Sequence, residues 1–133
     1  MPRRSKDLWT VILSAGGSTR LGTPKQLLRR RGRTLLRNTA DLAQSVTPGR
    51  VVAVVGAYPY RMRSALRNCG TGILTVTNTR WRYGMAGSLR QGLEALPPNA
   101  AAALVLLTDQ PLVTANDLER LIAAWARHPQ RAA

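Results

Sequence analysis

Leu13-Ser14-Ala15-Gly16-Gly17-Ser18-Thr19-Arg20-Leu21-Gly22-Thr23-Pro24-Lys25 is the stretch on which the reading of this chain turns. It follows an apolar run, Leu8 to Leu13, that reads as a buried strand. It then delivers Gly16, Gly17 and Gly22, the hydroxyls of Ser18 and Thr19, and the cations Arg20 and Lys25. Glycine lets backbone approach a ligand closely, and successive N–H groups in such a loop form a concavity for an anion. Arg20 and Lys25 add charge, so the ligand expected here is a polyphosphate.

The rest of the composition agrees with an anion-binding globular domain. The 133 residues suffice for one domain with a sizeable core, and 44% apolar content is too high for a disordered chain. The net charge is +14, and only Lys6 and Lys25 are lysines, so most of the 20 basic residues are arginines. Such a field attracts nucleotides, pyrophosphate, nucleic acid or an anionic membrane surface, although most of these arginines, irregularly spaced along helix faces, read as a compositional bias with solvated charges. Three Trp, three Tyr and no Phe, scattered, argue against a single-strand nucleic-acid surface. Cys69 is alone, which excludes an intramolecular disulfide and a cysteine-rich metal site, and it reads as a small buried hydrophobe. His128 has no visible partner for a catalytic triad. The basic start, Met1 to Lys6, leads into an apolar run too short for a signal core or a membrane span; the single cysteine fits a reducing cytoplasm.

Outward from the loop, short apolar runs alternate with helical periodicity. Strands are expected at Leu8–Ser14, Arg50–Val55, Ile73–Thr77 and Ala103–Leu107. A helix from about Thr34, with Leu35, Thr39, Leu42, Ala43 and Val46 on one face, follows the basic run Arg29–Arg33 and ends at Thr47-Pro48-Gly49. A second opens at Tyr58-Pro59, with Met62, Ala65, Leu66 and Cys69 as its stripe and Gly70 as its cap. A third carries Leu89, Leu93 and Leu96 and stops at Pro97-Pro98. A fourth starts at Thr114, where Thr114 and Asp117 resemble a capping box, and buries Leu118, Leu121, Ile122 and Trp125. Residues 1–6 and 128–133 read as tails. Four βα units in one uninterrupted domain, residues 1–133, imply an α/β fold: an open, mainly parallel sheet with helices on both faces. Ligands in such sheets bind beyond the C-terminal strand ends, where strand order reverses. A 3-2-1-4 order would bring the glycine loop and Asp109 together there.

Two familiar phosphate loops fail on spacing. A dinucleotide fingerprint needs Gly-x-Gly-x-x-Gly and an acid after the second strand, but that strand ends Val55-Gly56-Ala57. A Walker loop needs lysine directly after the second glycine; Thr23 stands there, and lysine arrives at position 25.

The stretch instead resembles the signature of nucleotidyltransferases with a Rossmann-like fold, Leu-x-Ala-Gly-x-Ser-x-Arg-x-Gly-x-Pro-Lys, matched by Leu13, Ala15, Gly16, Ser18, Arg20, Gly22, Pro24 and Lys25. Gln26-Leu27-Leu28 and Thr34-Leu35-Leu36 continue the pattern. Asn78-x-x-Trp81-x-x-Gly84-Met85-x-x-Ser88-Leu89 and Leu107-x-Asp109-Gln110-Pro111-Leu112-Val113 resemble the later motifs of the molybdenum cofactor cytidylyltransferase-like group, the MobA-like NTP transferase domains. The likeness runs from about Leu8 to Trp125. It implies a three-layer, Rossmann-like, nucleotide-diphospho-sugar transferase-like fold, C-terminally short. It also implies transfer of CMP from CTP to the phosphate of molybdopterin, with Mg2+ and release of pyrophosphate.

Carried over position by position, the resemblance makes Arg20, Lys25 and Asp109 catalytic, with Asp109 on the metal. It places Leu13, Ala15, Gly16, Gly17, Ser18, Gly22 and Gly56 around the nucleotide. Asn78, Gly84 and Ser88 fall on the substrate side. Plainer roles stand beside these: Asp109 as the cap of the turn to Pro111, Asn78 and Ser88 as loop and helix-cap residues, Gly56 as a turn, Trp81 as core packing. Ala15 before Gly16 is closer to the cytidylyl form than to the guanylyl form, while Ser14 departs from the usual alanine. The family continues past the helix of Trp125 with further strands and a second metal-binding acid. That leaves a fragment, a truncated product, or a minimal form that pairs with another chain through an uncovered sheet edge. Two alternatives to the molybdopterin reaction remain: transfer to a sugar phosphate or other small phosphate, and a non-catalytic nucleotide-binding protein.

Overall fold

The computed structural model describes residues 7–67, 72–110 and 112–127; Cys69, Gly70, Pro111 and His128 lie outside them. Strand β1 (Leu8–Ser14) occupies the middle of a four-stranded sheet. Two short hairpins follow, β2 (Thr19–Arg20) with β3 (Thr23–Pro24), and β4 (Arg29–Arg30) with β5 (Arg33–Thr34). The chain continues through α1 (Leu35–Val46), β6 (Val51–Val55), α2 (Pro59–Leu66), β7 (Ile73–Thr77), α3 (Met85–Glu94), β8 (Ala102–Leu107) and α4 (Ala115–Arg127). The sheet order is β7-β6-β1-β8 and every pair is parallel. This is the expected α/β architecture with its 3-2-1-4 strand order.

The order dictates which face each helix covers. The path β1 to β6 to β7 steps one way across the sheet, and β7 to β8 returns past β1. Right-handed crossovers put helices from opposite directions of travel on opposite faces. Thus α1 and α2 lie on one face and α3 on the other, and α4 joins α1. Alternation along β1 serves both layers: Leu8 and Ile12 pack with Leu36, Ala40, Met62 and Leu118, whereas Val11 and Leu13 pack with Val52, Val54 and Leu89. No helix of the described residues is long and apolar enough to cross a membrane.

Two helix faces differ from the periodicity reading. In α1 the deeply buried residues are Leu36, Ala40 and Ala43, while Leu35, Thr39, Leu42 and Val46 are half-buried, so the helix is rotated relative to the expected stripe. In α3 the buried residues are Ser88 and Gly92, and Leu93 is 43% exposed. Gly92 explains the second case. A Cβ there would stand 2.6 Å from Val11 Cγ1 and 3.0 Å from Val54 Cγ2, so α3 lies on β1 and β6 through a bare backbone. Strand four begins one residue earlier than expected and strand two one residue later.

The capping box of α4 forms as expected. Thr114 N–H donates to Asp117 Oδ2 at 3.0 Å, and Asp117 N–H donates to Thr114 Oγ1 at 3.2 Å.

Two expectations follow for stability. Gly92→Ala gains about 1 kcal/mol of helix propensity, but overpacking against two stiff valines costs about 1–3 kcal/mol. The variant should therefore unfold at lower urea, by about 1 kcal/mol, and a variant as stable as wild type would refute the packing account. The bond from the Thr114 backbone holds the Asp117 carboxyl below its ordinary value, helped by the Thr114 side chain and Arg120. A depressed folded value stabilises above the unfolded carboxyl pKa of about 3.9, and that stability is lost as pH falls through the folded value. The melting-temperature gap between wild type and Asp117→Asn should thus be full near neutrality and shrink below about pH 4.

Candidate functional site

Residues 15–18 leave the C-terminal end of β1 without regular structure, and their backbone is held by its carbonyls. Gln26 Nε2 donates to Ser14 O at 3.2 Å and to Gly16 O at 2.9 Å. Ala57 N–H donates to Ala15 O, and Lys25 N–H to Ser18 O, both at 3.0 Å. The N–H groups of Gly16, Gly17 and Ser18 have no acceptor among the described residues. A loop whose carbonyls are tied back and whose donors are unspent presents positive backbone dipoles to whatever lies above it.

The hairpin that follows sets out the two cations. Its turn is Leu21-Gly22 with φ of 52° and 80°, both positive as a type I′ turn requires. Glycine adopts this at no steric cost, while Leu21, fully exposed, bears about 1–2 kcal/mol for the left-handed conformation. Arg20 pairs across from Thr23 in the hairpin, Lys25 starts the 3-10 turn Lys25–Leu27, and both side chains are exposed.

Beside the loop lies a cavity of about 270 Å³ on the α3 side of the sheet, lined by Leu13, Ala15, Gly16, Gly17, Gly84 and Ser88 together with Trp81, Arg82 and Met85. The start of α3 opens onto it, and that helix has no side-chain cap, so its positive end faces the cavity. Trp81 forms the wall. Its ring carbons stand 2.6 Å from where a Cβ of Gly17 would be, and its own Cβ stands 2.6 Å from that of Gly56. Gly17 is therefore required by the indole ring, and Gly56 by the Cβ of Trp81 together with Ala15. Gly56 supports this wall from beneath and is buried, outside the cavity lining. The Arg82 guanidinium sits over the Trp81 ring at 5.3 Å, a cation–π arrangement that places a further positive charge on the cavity.

Asn78 is buried and spends its amide inside the protein. It donates to Ser88 Oγ at 2.9 Å and accepts from Arg80 N–H and from Gln91 Nε2, each at 2.9 Å. These bonds lock the turn that carries Trp81 onto α3. Asn78 thus positions the wall, while Ser88 both receives that bond and lines the cavity.

Asp109 follows β8 and is exposed. Leu107 pairs with Leu13, so Asp109 and Ala15 leave adjacent parallel strands at the same level. Ser18, Arg20, Gly22, Lys25, Gly56, Asn78 and Asp109 do not line the cavity. Among the described residues there is no group of three or more His, Cys, Asp or Glu able to hold a metal by themselves. One carboxylate beside unspent N–H donors and cations suits a hard divalent ion that arrives with phosphate oxygens and keeps most of its waters. The motifs include Gln26 and Met85 but assign neither a role, and Arg82 falls at one of their unspecified positions. Gln26 carries a recognisable signal in retrospect, a polar residue at the one buried position of the turn after Lys25.

The sequence model of the MobA-like NTP transferase domain matches residues 10–133, so this chain belongs to that family. The bifunctional protein GlmU of Rhodococcus opacus is 33% identical over 129 residues, which is 92% of this chain and 26% of GlmU. The crystal structure of Rv0371c from Mycobacterium tuberculosis H37Rv is 35% identical with a TM-score of 0.72, covering 90% of this chain and 61% of that one. The same protein has also been solved in complex with manganese, at 31% identity, TM-score 0.71 and 90% and 60% coverage. The 4-diphosphocytidyl-2C-methyl-D-erythritol synthase of Anaerococcus prevotii shares the fold at TM-score 0.76 and 20% identity, covering 92% of this chain and 52% of that one. The chain therefore spans about a quarter of the length of the curated relatives it matches and about three fifths of its structural relative Rv0371c.

The Gly17–Trp81 contact yields a test of the wall. Gly17→Ala should cost about 1–3 kcal/mol through overpacking, and much less in a Trp81→Ala background, where the ring is gone. Urea unfolding of both single variants and the double variant measures that coupling; additive effects would show that the indole is not what excludes the methyl group.

Proposed function

We propose that the chain binds a nucleoside triphosphate at the β1 loop and transfers its nucleotidyl group to a phosphate acceptor. An acceptor phosphate oxygen bonds to the α-phosphorus, the bond from that phosphorus to the bridging oxygen breaks, and pyrophosphate leaves with the electron pair. The carrying observation is the loop itself: carbonyls tied back, the N–H groups of Gly16, Gly17 and Ser18 unspent, and Arg20 and Lys25 on the adjoining hairpin. Such a reaction brings anions together and needs little covalent chemistry from the protein, so positioning and charge neutralisation supply most of the catalysis. Arg20 and Lys25 would hold the β- and γ-phosphates and stabilise the departing pyrophosphate. The cavity walled by Trp81 would take the nucleoside end. Asp109 would hold Mg2+ or a similar ion, which supplies further charge neutralisation at the phosphates; the manganese complex of Rv0371c supports a divalent ion.

Ala15-Gly16 favours CTP, and the Asn78–Leu89 and Leu107–Val113 motifs favour molybdopterin as the acceptor. The likeness to GlmU favours a second reading with the same chemistry, in which the acceptor is a sugar phosphate or another small phosphate.

Pyrophosphate release with each nucleoside triphosphate, Mg2+ and either molybdopterin or a panel of sugar phosphates decides between them. Release with CTP and molybdopterin alone is expected; release with a sugar phosphate instead moves the assignment to the second reading. Lys25→Ala and Asp109→Ala should each lower turnover by about 10²-fold or more, the scale of losing one group that stabilises transition-state charge. Wild-type rates in either would overturn the site assignment.

A further inference from the structure

A concavity larger than the cavity beside the β1 loop lies elsewhere on the molecule. A groove of about 800 Å³ runs between the β4–β5 hairpin with the start of α1 and the start of α2. Four arginines line it, Arg29, Arg33, Arg37 and Arg61; among the described residues Asp41 is the carboxylate that meets this group, at 2.6 Å from Arg33 and 4.0 Å from Arg37, which also donates to Arg67 O. Arg29 additionally holds its own turn through Gly32 O, and Arg61 lies 5.9 Å from the Tyr58 ring; neither contact brings a negative charge. The excess of positive charge is therefore built into one concave surface rather than spread over a convex one.

The arrangement is unfavourable for the fold taken alone. Arg37 and Arg61 stand in the first turns of α1 and α2, and neither turn contains an acid. A helix start carries partial positive charge and prefers anions. Like charges thus converge from three elements on a space open to solvent. One phosphate is satisfied by one or two guanidinium forks, so four around one groove match a ligand with several phosphates. Tyr60, 87% exposed on the same groove, offers a single ring face. One ring suits a small ligand better than a polynucleotide, whose bases need a succession of stacking platforms.

We propose that this groove is a second binding site, separate from the β1 loop, for a small ligand carrying two or more phosphate groups, either a free polyphosphate or a nucleoside polyphosphate. Thr23 lines the groove opposite Arg20 in its hairpin, so the site adjoins the phosphate loop and can be occupied independently of it.

The test is titration calorimetry with inorganic tripolyphosphate and with CTP on the full chain, in wild type, in Lys25→Ala, and in Lys25→Ala combined with Arg29→Gln and Arg61→Gln. Tripolyphosphate should still bind the Lys25→Ala protein, and the two glutamines should weaken that binding at least tenfold. A CTP affinity at least tenfold above that of tripolyphosphate in the Lys25→Ala background, lost with Tyr60→Ala, identifies the nucleoside form; equal affinities identify the free polyphosphate. If Lys25→Ala abolishes all binding, or the glutamines change nothing, the proposal fails. It fails too if the groove takes a single-stranded oligonucleotide but not tripolyphosphate. Should the combined variant not fold, protection of Arg29 and Arg61 from phenylglyoxal by tripolyphosphate in the Lys25→Ala protein gives the same decision. These readouts are binding measurements and do not depend on turnover at the β1 loop.

Discussion

One buried amide governs the shape of the candidate site. Gln26 reaches back twelve and ten residues to donate to the carbonyls of Ser14 and Gly16 from the same nitrogen. The reverse orientation would set its oxygen against two carbonyl oxygens, so the network fixes which way the amide points. The cost is visible: Oε1 is buried without a partner among the described residues, a loss of about 1–3 kcal/mol for an unsatisfied polar atom. In return the loop leaves β1 with its carbonyls turned inward. With Ala15 O and Ser18 O held by Ala57 and Lys25, most of the loop's acceptors are used internally and its free N–H groups face outward.

The next constraint is the Trp81 wall, and it works by exclusion. Gly17 lacks a side chain where the indole lies, Gly56 lacks one where the Trp81 Cβ stands, and Asn78 fixes the turn that carries Trp81. Three residues distant in sequence are thus one device. Ser14 fits the same logic: its hydroxyl donates to Val54 O at 2.9 Å, so a polar residue at this buried position is paid for within the sheet. The substitution leaves the loop geometry to Gln26 and Ala57.

Much of this was legible in the residues, and the exceptions share a cause. Strand β1 and the 3-2-1-4 order could be read because an apolar run, a glycine loop and repeated βα units constrain each other. The capping box could be read because it is local, three residues closing on themselves. The α3 face was misread because periodicity weighs leucines and ignores glycine, yet Gly92 is where the helix meets Val11 and Val54. The α1 face was displaced for a related reason: α1 packs on α2 and α4 as well as the sheet, and a three-sided environment does not produce one clean stripe. The basic run Arg29–Arg33 hid a hairpin whose turn, Arg31-Gly32 with φ of 56° and 79°, only the backbone reveals. Asn78 was legible as a position but not as a role, since its three partners lie up to 13 residues away.

The strand order also explains why the site divides into two chemical halves. β1 lies between β6 and β8, so the loop after it has a different neighbour on each side. On the β6 side are Trp81, Arg82 and the start of α3, which enclose a partly apolar cavity. The β8 side received Asp109, exposed and in register with the loop. The loop between them has donors but no carboxylate of its own. A ligand anchored by its phosphates on Gly16, Gly17 and Ser18 therefore meets shape on one side and negative charge on the other. On the proposed function, a ligand that brings cations with its phosphates would gain from both, which would make Asp109 and the glycine loop parts of one site.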